Sequence, residues 1–519
     1  MGKILPFGEW LPDQPAFGNP GTVTVQNCYP RTAGSYGPFP SPVPNSSPLP
    51  GQVCGSYGYR DPAGTVFNFA ATQSGLFLQT TGSPNYTEVS GPSAPYNTEA
   101  PPDGFWSMTS FGKRIIATNY DDPIQTMLVD TDAAFSDLSP DAPRAKYACV
   151  LRDFLMVANV VDATDGPVPY RVRWPAIGDP TTWPTPGTNE AIELQSDFQD
   201  LQQTDLGDIT GITGGHISAA DGAIFCERGI YRVAYAGSPA IFDFAVAEGA
   251  AGTDAPLSIV ERRLQTGAGV TIAVDYYLGS DGFYAFDGSS SVPIGAQKVD
   301  RTFFNDLDVQ YLGVVQGTYV PDLKLVLWFY HGTQNNGHYN KCLAFNWELQ
   351  KWAPIDFTAN PVDWIDGTTY STFGYNLDQL DPFGTLDTLP FSLDSRAWTS
   401  GKQLLSWFDT SHAQNYANGP SMRAVVETGE QQLFPGRRAR IVSTRPIADS
   451  AVPVAIAVGT REMTRAPVAY TLAVPENIIG DCPQRITGRY VRFQMVVPAG
   501  ANFNHLQGID VNAVQEGFR

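Results

Sequence analysis

Along most of this chain, apolar and polar residues alternate in short runs separated by turn residues, the pattern of half-buried β-strands rather than of helices. From about residue 64 one unit recurs: a short strand, a Gly-containing turn, a second strand, a polar turn and often a third, aromatic-rich strand. The clearest example is YYLGSDGFYAFDGSS, residues 276 to 290. There Asp281-Gly282 and Asp287-Gly288 are each expected to supply the positive-φ positions of a tight turn, with Phe283 to Phe286 as the strand between them. Related units lie at 65–81, 113–130, 147–160, 223–244 and 324–356. Six units starting roughly fifty residues apart suit the ~40 to 50 residues of a four-stranded propeller blade. Residues 145 to 158 also fit a helical period, but the β-branched residues that follow favour two strands turning at Arg152-Asp153. No signature dipeptide returns at a fixed offset, so a two-sheet sandwich with long loops is the alternative.

The chain ends differ from this middle. Eleven of the 42 prolines fall in the first fifty residues, and proline withholds the backbone donor that a sheet or helix needs. Phe7, Trp10, Phe17, Tyr29, Tyr36 and Phe39 are more aromatic than a solvated tail requires, so an extended arm docked along a neighbouring surface is expected. In VDRTFFNDLD (299 to 308), Asp300 is placed to cap a short helix linking two blades, with Phe303 and Leu307 on one face. Beyond residue 420 the strands lengthen, as in RARIVSTRPI and RYVRFQMVV. The expected fold is all-β: a Pro-rich extended arm (1–60), a six-bladed β-propeller (61–360), a loop-rich connection (361–420) and a C-terminal β layer or platform (421–519).

Composition agrees with this outline and removes other classes. Of 519 residues, 50 are Gly, 42 are Pro and only 16% are charged, against about 25% in an ordinary soluble domain. A helical bundle with a charged surface cannot be built from so few. The net charge of −20 opposes tight binding to nucleic acid. It is unevenly placed: residues 421 to 519 hold 11 Arg and no Lys against 8 acids, a balance of +3, which leaves −23 for the first 420. Such polarity suits a protein that meets copies of itself or an acidic neighbour. The N-terminal apolar run is broken by Pro6, Gly8 and Glu9, so no signal peptide is expected, and no apolar stretch approaches the ~20 residues that span a bilayer.

Candidate chemistry is sparse. Cys28, Cys54, Cys149, Cys226, Cys342 and Cys482 are scattered singly and read as reduced, structural thiols. His216, His331, His338, His412 and His505 fall in no HExxH motif. His331 and His338 bracket one loop but lack a third metal ligand of suitable spacing. No GxSxG elbow or phosphate loop is present, and Asp130 and Asp132 begin a calcium-like loop without its terminal acid. No catalytic, metal or cofactor site is therefore assigned. Paired carboxylates in a propeller funnel keep a glycan-binding protein or glycoside hydrolase as the alternative.

Five segments in order along the chain carry a family resemblance: LPDQPAFGNPG with GSYGPFP, RVRWPAIGDPTTW, GSDGFYAFDG followed by PIGAQKVDRTFFNDLD, NWELQKWAPID, and GRYVRFQMVVPAGANFNHLQGID. In these the chain resembles the tail nozzle proteins of short-tailed bacteriophages, also called tubular tail protein B or packaged-DNA stabilisation protein. The resemblance implies a structural virion protein without catalysis, assembled in the host cytoplasm. It implies a homohexameric ring below the portal and its adaptor ring, extending the DNA channel, retaining and then conducting the genome, and offering side surfaces to tail fibres or spikes.

Two sets of residues follow as candidates. Arg437, Arg438 and Arg440 are expected to contact an acidic surface of another subunit or of the adaptor, although strand alternation lets only some of them face outward. A DNA conduit must not hold its cargo, so its bore should be acidic or neutral. Between Arg173 and Arg228 there is no Lys or Arg but nine acids, among which Asp197, Asp200, Asp205 and Asp208 are the channel-lining candidates.

Overall fold

The computed structural model describes residues 2–101, 104–202, 205–215, 221–265, 271–367, 369–372, 389 and 401–517. The regular structure of its described residues is almost wholly β-strand, with only short helices. Seven four-stranded antiparallel sheets follow one another along the chain. The first begins with Val53–Arg60, the second with Ser107–Phe111, the third with Arg144–Leu151 and the fourth with Ile209–Gly214. The fifth begins with Val260–Gln265, the sixth with Gln316–Val320 and the seventh with Val362–Asp366. In the first six, each strand pairs with the next in sequence. Each of the six hairpin units read from the sequence falls in a different one of them, and residues 145 to 158 are two strands turning at Arg152, whose φ is 51°.

The opening strands are neighbours in space: those of the first four sheets lie successively side by side, as do those of the fifth to seventh, and that of the seventh lies against that of the first. The fourth and fifth sheets share a core of Phe225, Tyr277 and Phe286. Stacking on both faces explains why second strands such as Val66–Thr72 and Leu325–Tyr330 are buried at every position rather than alternately. Each large apolar side chain so buried contributes about 1.5–3 kcal/mol.

The seventh sheet corrects two expectations. Residues 361–420 are not simply a connection, because Val362–Asp366, Ser406–Asp409 and Gln414–Ser421 are three of its strands. Its fourth is Pro40–Pro44, from the supposed arm. PSPVP has three residues without an N–H, so it can serve only as an edge strand. The remaining arm also carries strands: Gly2–Pro6, Thr22–Gln26, Cys28–Thr32 and Ser35–Pro38 all pair within this chain, and Val53–Arg60 already opens the first sheet. Phe7, Trp10, Tyr29, Tyr36 and Phe39 are buried there, whereas Phe17 is exposed and meets Tyr490 edge-on.

The C-terminal layer proves to be two six-stranded sheets, each completed by N-terminal strands. One contains Ala439–Ala448, Cys482–Gly488 and Leu506–Gln515; the other contains Ala424–Thr428, Ala455–Arg461 and Tyr490–Val497. Ile441, Ile509 and Val511 of the first share one core with Val426, Ile456 and Phe493 of the second, making a sandwich. Phe7 and Trp10 extend that core to Phe283, Trp328 and Trp352 of the fifth and sixth sheets.

Two local expectations also change. Gly288 has φ +92°, but Gly282 does not enter the positive region; it is required because a Cβ there would lie 2.4 Å from Asp300 Oδ2. Of the two α-helices, α1 (Asn189–Glu193) and α2 (Asp300–Asp306), the second is the one expected around Asp300, but Asp300 does not cap it; it is the first residue of α2 and accepts the Phe283 N–H instead. The cap of α2 comes from the arm, where the Asp13 carboxylate accepts the N–H groups of Arg301 (3.0 Å) and Thr302 (2.8 Å).

Candidate functional surfaces

Folding divides the four acidic candidates. Asp197 and Asp200 lie on Asp197–Asp200, the last strand of the third sheet, while Asp205 and Asp208 lie in the segment leading to the fourth. Asp200 is matched by Arg171, whose Nε and Nη2 donate to its two oxygens at 2.6 and 2.9 Å. The same guanidinium donates to Asp165 at 2.6 Å and stacks on Phe198 at 4.1 Å. This fork-shaped, nearly buried arrangement neutralises the strand edge far better than an exposed pair would. Asp205, with φ 52°, meets Arg228 at 3.0 Å, but both side chains are so exposed that water screens the pair. Asp221 accepts from Arg152 at 2.6 Å, and Glu227 lies 3.6 Å from Arg228.

The acidic window of the sequence is therefore much less acidic in the fold, because arginines from before and after it fold back onto it. Asp179 is engaged in a turn, accepting from Thr181 and Thr182. Glu190, Glu193, Asp197 and Asp208 are exposed and have no ion pair among the described residues. Sequence reasoning missed Arg152, Arg171 and Arg228 as partners. The alternation of RVRW in Gly166–Trp174 was the available signal, since a cross-strand neighbour of Arg171 in an antiparallel pair had to be an acid on an adjoining strand to justify its burial.

The three arginine candidates are separated too. Arg437 lies against the side-chain amide of Gln515, and Arg438 pairs with Glu462 at 2.8 Å. Arg440 alone is fully outward, on Ala439–Ala448, with no ion pair among the described residues. Other arginines of the sandwich serve its interior: Arg461 and Arg492 neutralise the buried Glu430 at 2.5 and 3.5 Å, and Arg492 approaches the buried Glu427 at 3.8 Å. Tyr470 donates to Glu427 at 2.5 Å, and burial together with that carboxylate pushes its hydroxyl up to about 12.

The histidines and cysteines are held structurally. His331 stacks on Tyr311 at 4.1 Å and also meets Tyr339; burial depresses it to about 4, so it is neutral near pH 7. His338 meets the buried Asp363 at 2.5 Å, His412 approaches the other carboxylate oxygen at 3.4 Å, and His505 bonds Ser35 at 2.9 Å. His216 lies outside the described residues. All six cysteines are buried, and burial raises Cys54, Cys226 and Cys482 to about 12, keeping them as thiols. Among the described residues no group of three or more His, Cys, Asp or Glu could hold a metal, and no helix is long and apolar enough to cross a membrane. An open cleft of about 550 Å³ beside the third sheet is lined by Arg171, Arg173, Asp162, Asp165, Trp183 and Phe198.

No family model matches the chain, and no curated protein matches it. Among solved structures it is similar to the extracellular domain of BT4673 from B. thetaiotaomicron, with a TM-score of 0.34 and 9% identity over 73% of this chain and 40% of that one. It is similar as well to the computationally designed Ika8 protein, with a TM-score of 0.35 and 6% identity over 72% of this chain and 99% of that one. Both likenesses are too slight to carry an argument about fold or function.

Proposed function

We propose that this chain is a structural subunit of a short viral tail, a nozzle of the kind its sequence motifs resemble. In this reading the seven four-stranded sheets are the blades of one propeller, one more than the six hairpin units suggest. Its support is the succession of opening strands, in which the seventh sheet meets the first. The strand Pro40–Pro44 would clasp the last blade by joining distant parts of the chain in one sheet, leaving fewer open edges. Six copies would form a ring below the portal and its adaptor ring, with fibres or spikes at its side, and the genome would pass through it in transit. The subunit itself would perform no catalysis and take no cofactor.

The observation that carries the reading is the partition of unpaired charge. Glu190, Glu193, Asp197 and Asp208 stand exposed on or beside the third and fourth sheets, while Arg440 stands exposed on the sandwich. An acidic bore would keep DNA from adhering, since no counterions are released by contact with it. Of the four channel candidates, Asp197 and Asp208 have no ion pair among the described residues, whereas Asp200 and Asp205 are partnered. Negative-stain microscopy of the full chain, alone and with its adaptor ring, tests the reading: rings with an open bore are expected, and single particles in both samples would reject it.

A second reading is favoured by one observation. The cleft of about 550 Å³ combines Trp183 and Phe198 with Asp141, Asp162 and Asp165, groups that suit a glycan. Binding or cleavage of members of a glycan panel by a chain that stays monomeric would favour it over the nozzle.

A further inference from the structure

One outward face of the sandwich is unusual for a protein surface. Arg440, Val442 and Arg445 are exposed on Ala439–Ala448, and Arg485 is exposed on the adjoining strand, opposite the bulge at Val442. Arg445 donates to Asp481 at 3.0 Å and to the Ile479 carbonyl at 3.3 Å, which ties the 477–481 loop to this face. Ile478 and Ile479 in that loop are 106% and 70% exposed. Arg440 and Arg485 have no ion pair among the described residues. Arg445 is matched by Asp481 and stands across the ladder from Asp510, so the positive charge left over on this apolar face is that of Arg440 and Arg485, a combination that marks a contact surface.

The complementary combination occurs on the same chain. Ile192 on α1 is 63% exposed, and Ile177, also exposed, donates its N–H to the Leu194 carbonyl at the end of that helix. Around them Glu190 and Glu193 are exposed and have no ion pair among the described residues. The strands beneath the two patches contribute to different hydrophobic clusters, Ile441 and Cys482 to that of the sandwich and Trp174 to that of the third sheet. Among the described residues no hydrogen bond or ion pair joins them.

We infer that the basic apolar face of the sandwich docks on the acidic apolar patch around α1 of a second copy of this chain. The inference rests on the assembly part of the reading above and not on its DNA part. Because the two surfaces differ, the contact is head-to-tail: it leaves one of each patch free on every dimer and propagates until it closes into a ring or continues as a filament. The isoleucines supply the water-excluding centre, and the opposed charges set register and suppress other pairings. Exposed charges at such a rim act within about 8 Å at physiological salt, so assembly weakens as salt rises.

The test uses two variants of the full chain. In one, Arg440→Glu and Arg485→Glu make the sandwich face acidic; in the other, Glu190→Arg and Glu193→Arg make the α1 patch basic. Sedimentation velocity should show each alone losing assembly, with an association constant lowered on the order of 100-fold, since like charges then face each other. Mixing them should restore it, because every contact then joins opposite charges, and recovery also shows that both variants fold. Wild-type protein that assembles while each variant assembles equally well would overturn these faces and leave the assembly reading standing. Wild-type protein that stays monomeric at every concentration would overturn both. Loss in each variant without recovery on mixing, with unchanged thermal melts, would overturn the pairing of these two patches.

Discussion

The sandwich and the acidic stretch of the third and fourth sheets handle charge in opposite ways. In the sandwich, arginines enter the interior to neutralise Glu427 and Glu430, and those left outside, such as Arg440 and Arg485, have no ion pair among the described residues. In the acidic stretch the flow is reversed: Arg152, Arg171 and Arg228 return from outside the segment to meet its acids, and Glu190, Glu193, Asp197 and Asp208 are left over. Net charge counted along the sequence therefore overstates the acidity of one region and misplaces the basicity of the other. What a neighbour can feel is the remainder after internal pairing.

The strongest challenge to this comparison is the buried network of the sandwich. Glu430→Gln leaves Arg461 and Arg492 without a full counter-charge in a water-poor site, and should destabilise the protein by about 3–5 kcal/mol in urea unfolding. A loss below ~1 kcal/mol would place these charges in the solvent-screened class instead.

Asp300 offers a buried acid with no such partner. Burial raises its carboxyl to about 6, offset by the Phe283 N–H and reinforced by Asp13 and Asp281. The folded protein thus binds this proton more tightly than the unfolded chain, whose value is near 3.8. Its favourable contribution is fully present below pH 3.8 and is lost as pH rises through 6. Asp300→Asn should therefore stabilise the protein by roughly 1–3 kcal/mol at pH 7.5 and by nothing near pH 3.5, read from unfolding midpoints across that range.

On the acidic side the expected effects are smaller. Arg171→Met keeps the stacking on Phe198 in part but leaves Asp165 and Asp200 unmatched; both are partly wet, so the cost should be about 1–2 kcal/mol. Arg228→Ala removes only an exposed pair with Asp205 and should change stability by less than about 0.5 kcal/mol. If the two losses were equal, the distinction between paired and merely adjacent acids would fail.

These pairings also mark what the sequence could not reveal. The six hairpin units were legible because alternation and Gly turns are local, and each one entered its own sheet. The seventh sheet was not, since its outer strand Pro40–Pro44 joins Gln414–Ser421 across almost the whole chain, and its prolines read as an arm until an edge position accounts for them. Asp300 looked like a helix cap by spacing, yet the cap is Asp13, 288 residues away from Arg301. Of the arginine candidates Arg440 was placed outward while Arg437 and Arg438 turned to partners in the same chain, and of the acidic candidates Asp200 and Asp205 found arginines that their own segment lacks. Residue types and periods were readable; partners at long range were not.

The central claim is that the two remainders of charge meet between copies, and cysteine cross-linking tests it most directly. All six native cysteines are buried, so a full chain carrying Ile192→Cys and Ile479→Cys has two exposed thiols on the proposed faces. Under mild oxidation the account predicts a ladder of covalent oligomers from the double variant and no more than dimers from either single variant, because a disulfide forms only where Cα atoms come within about 7 Å. A double variant that stays monomeric, or forms no species beyond those of the single variants, while the protein assembles normally, would contradict it.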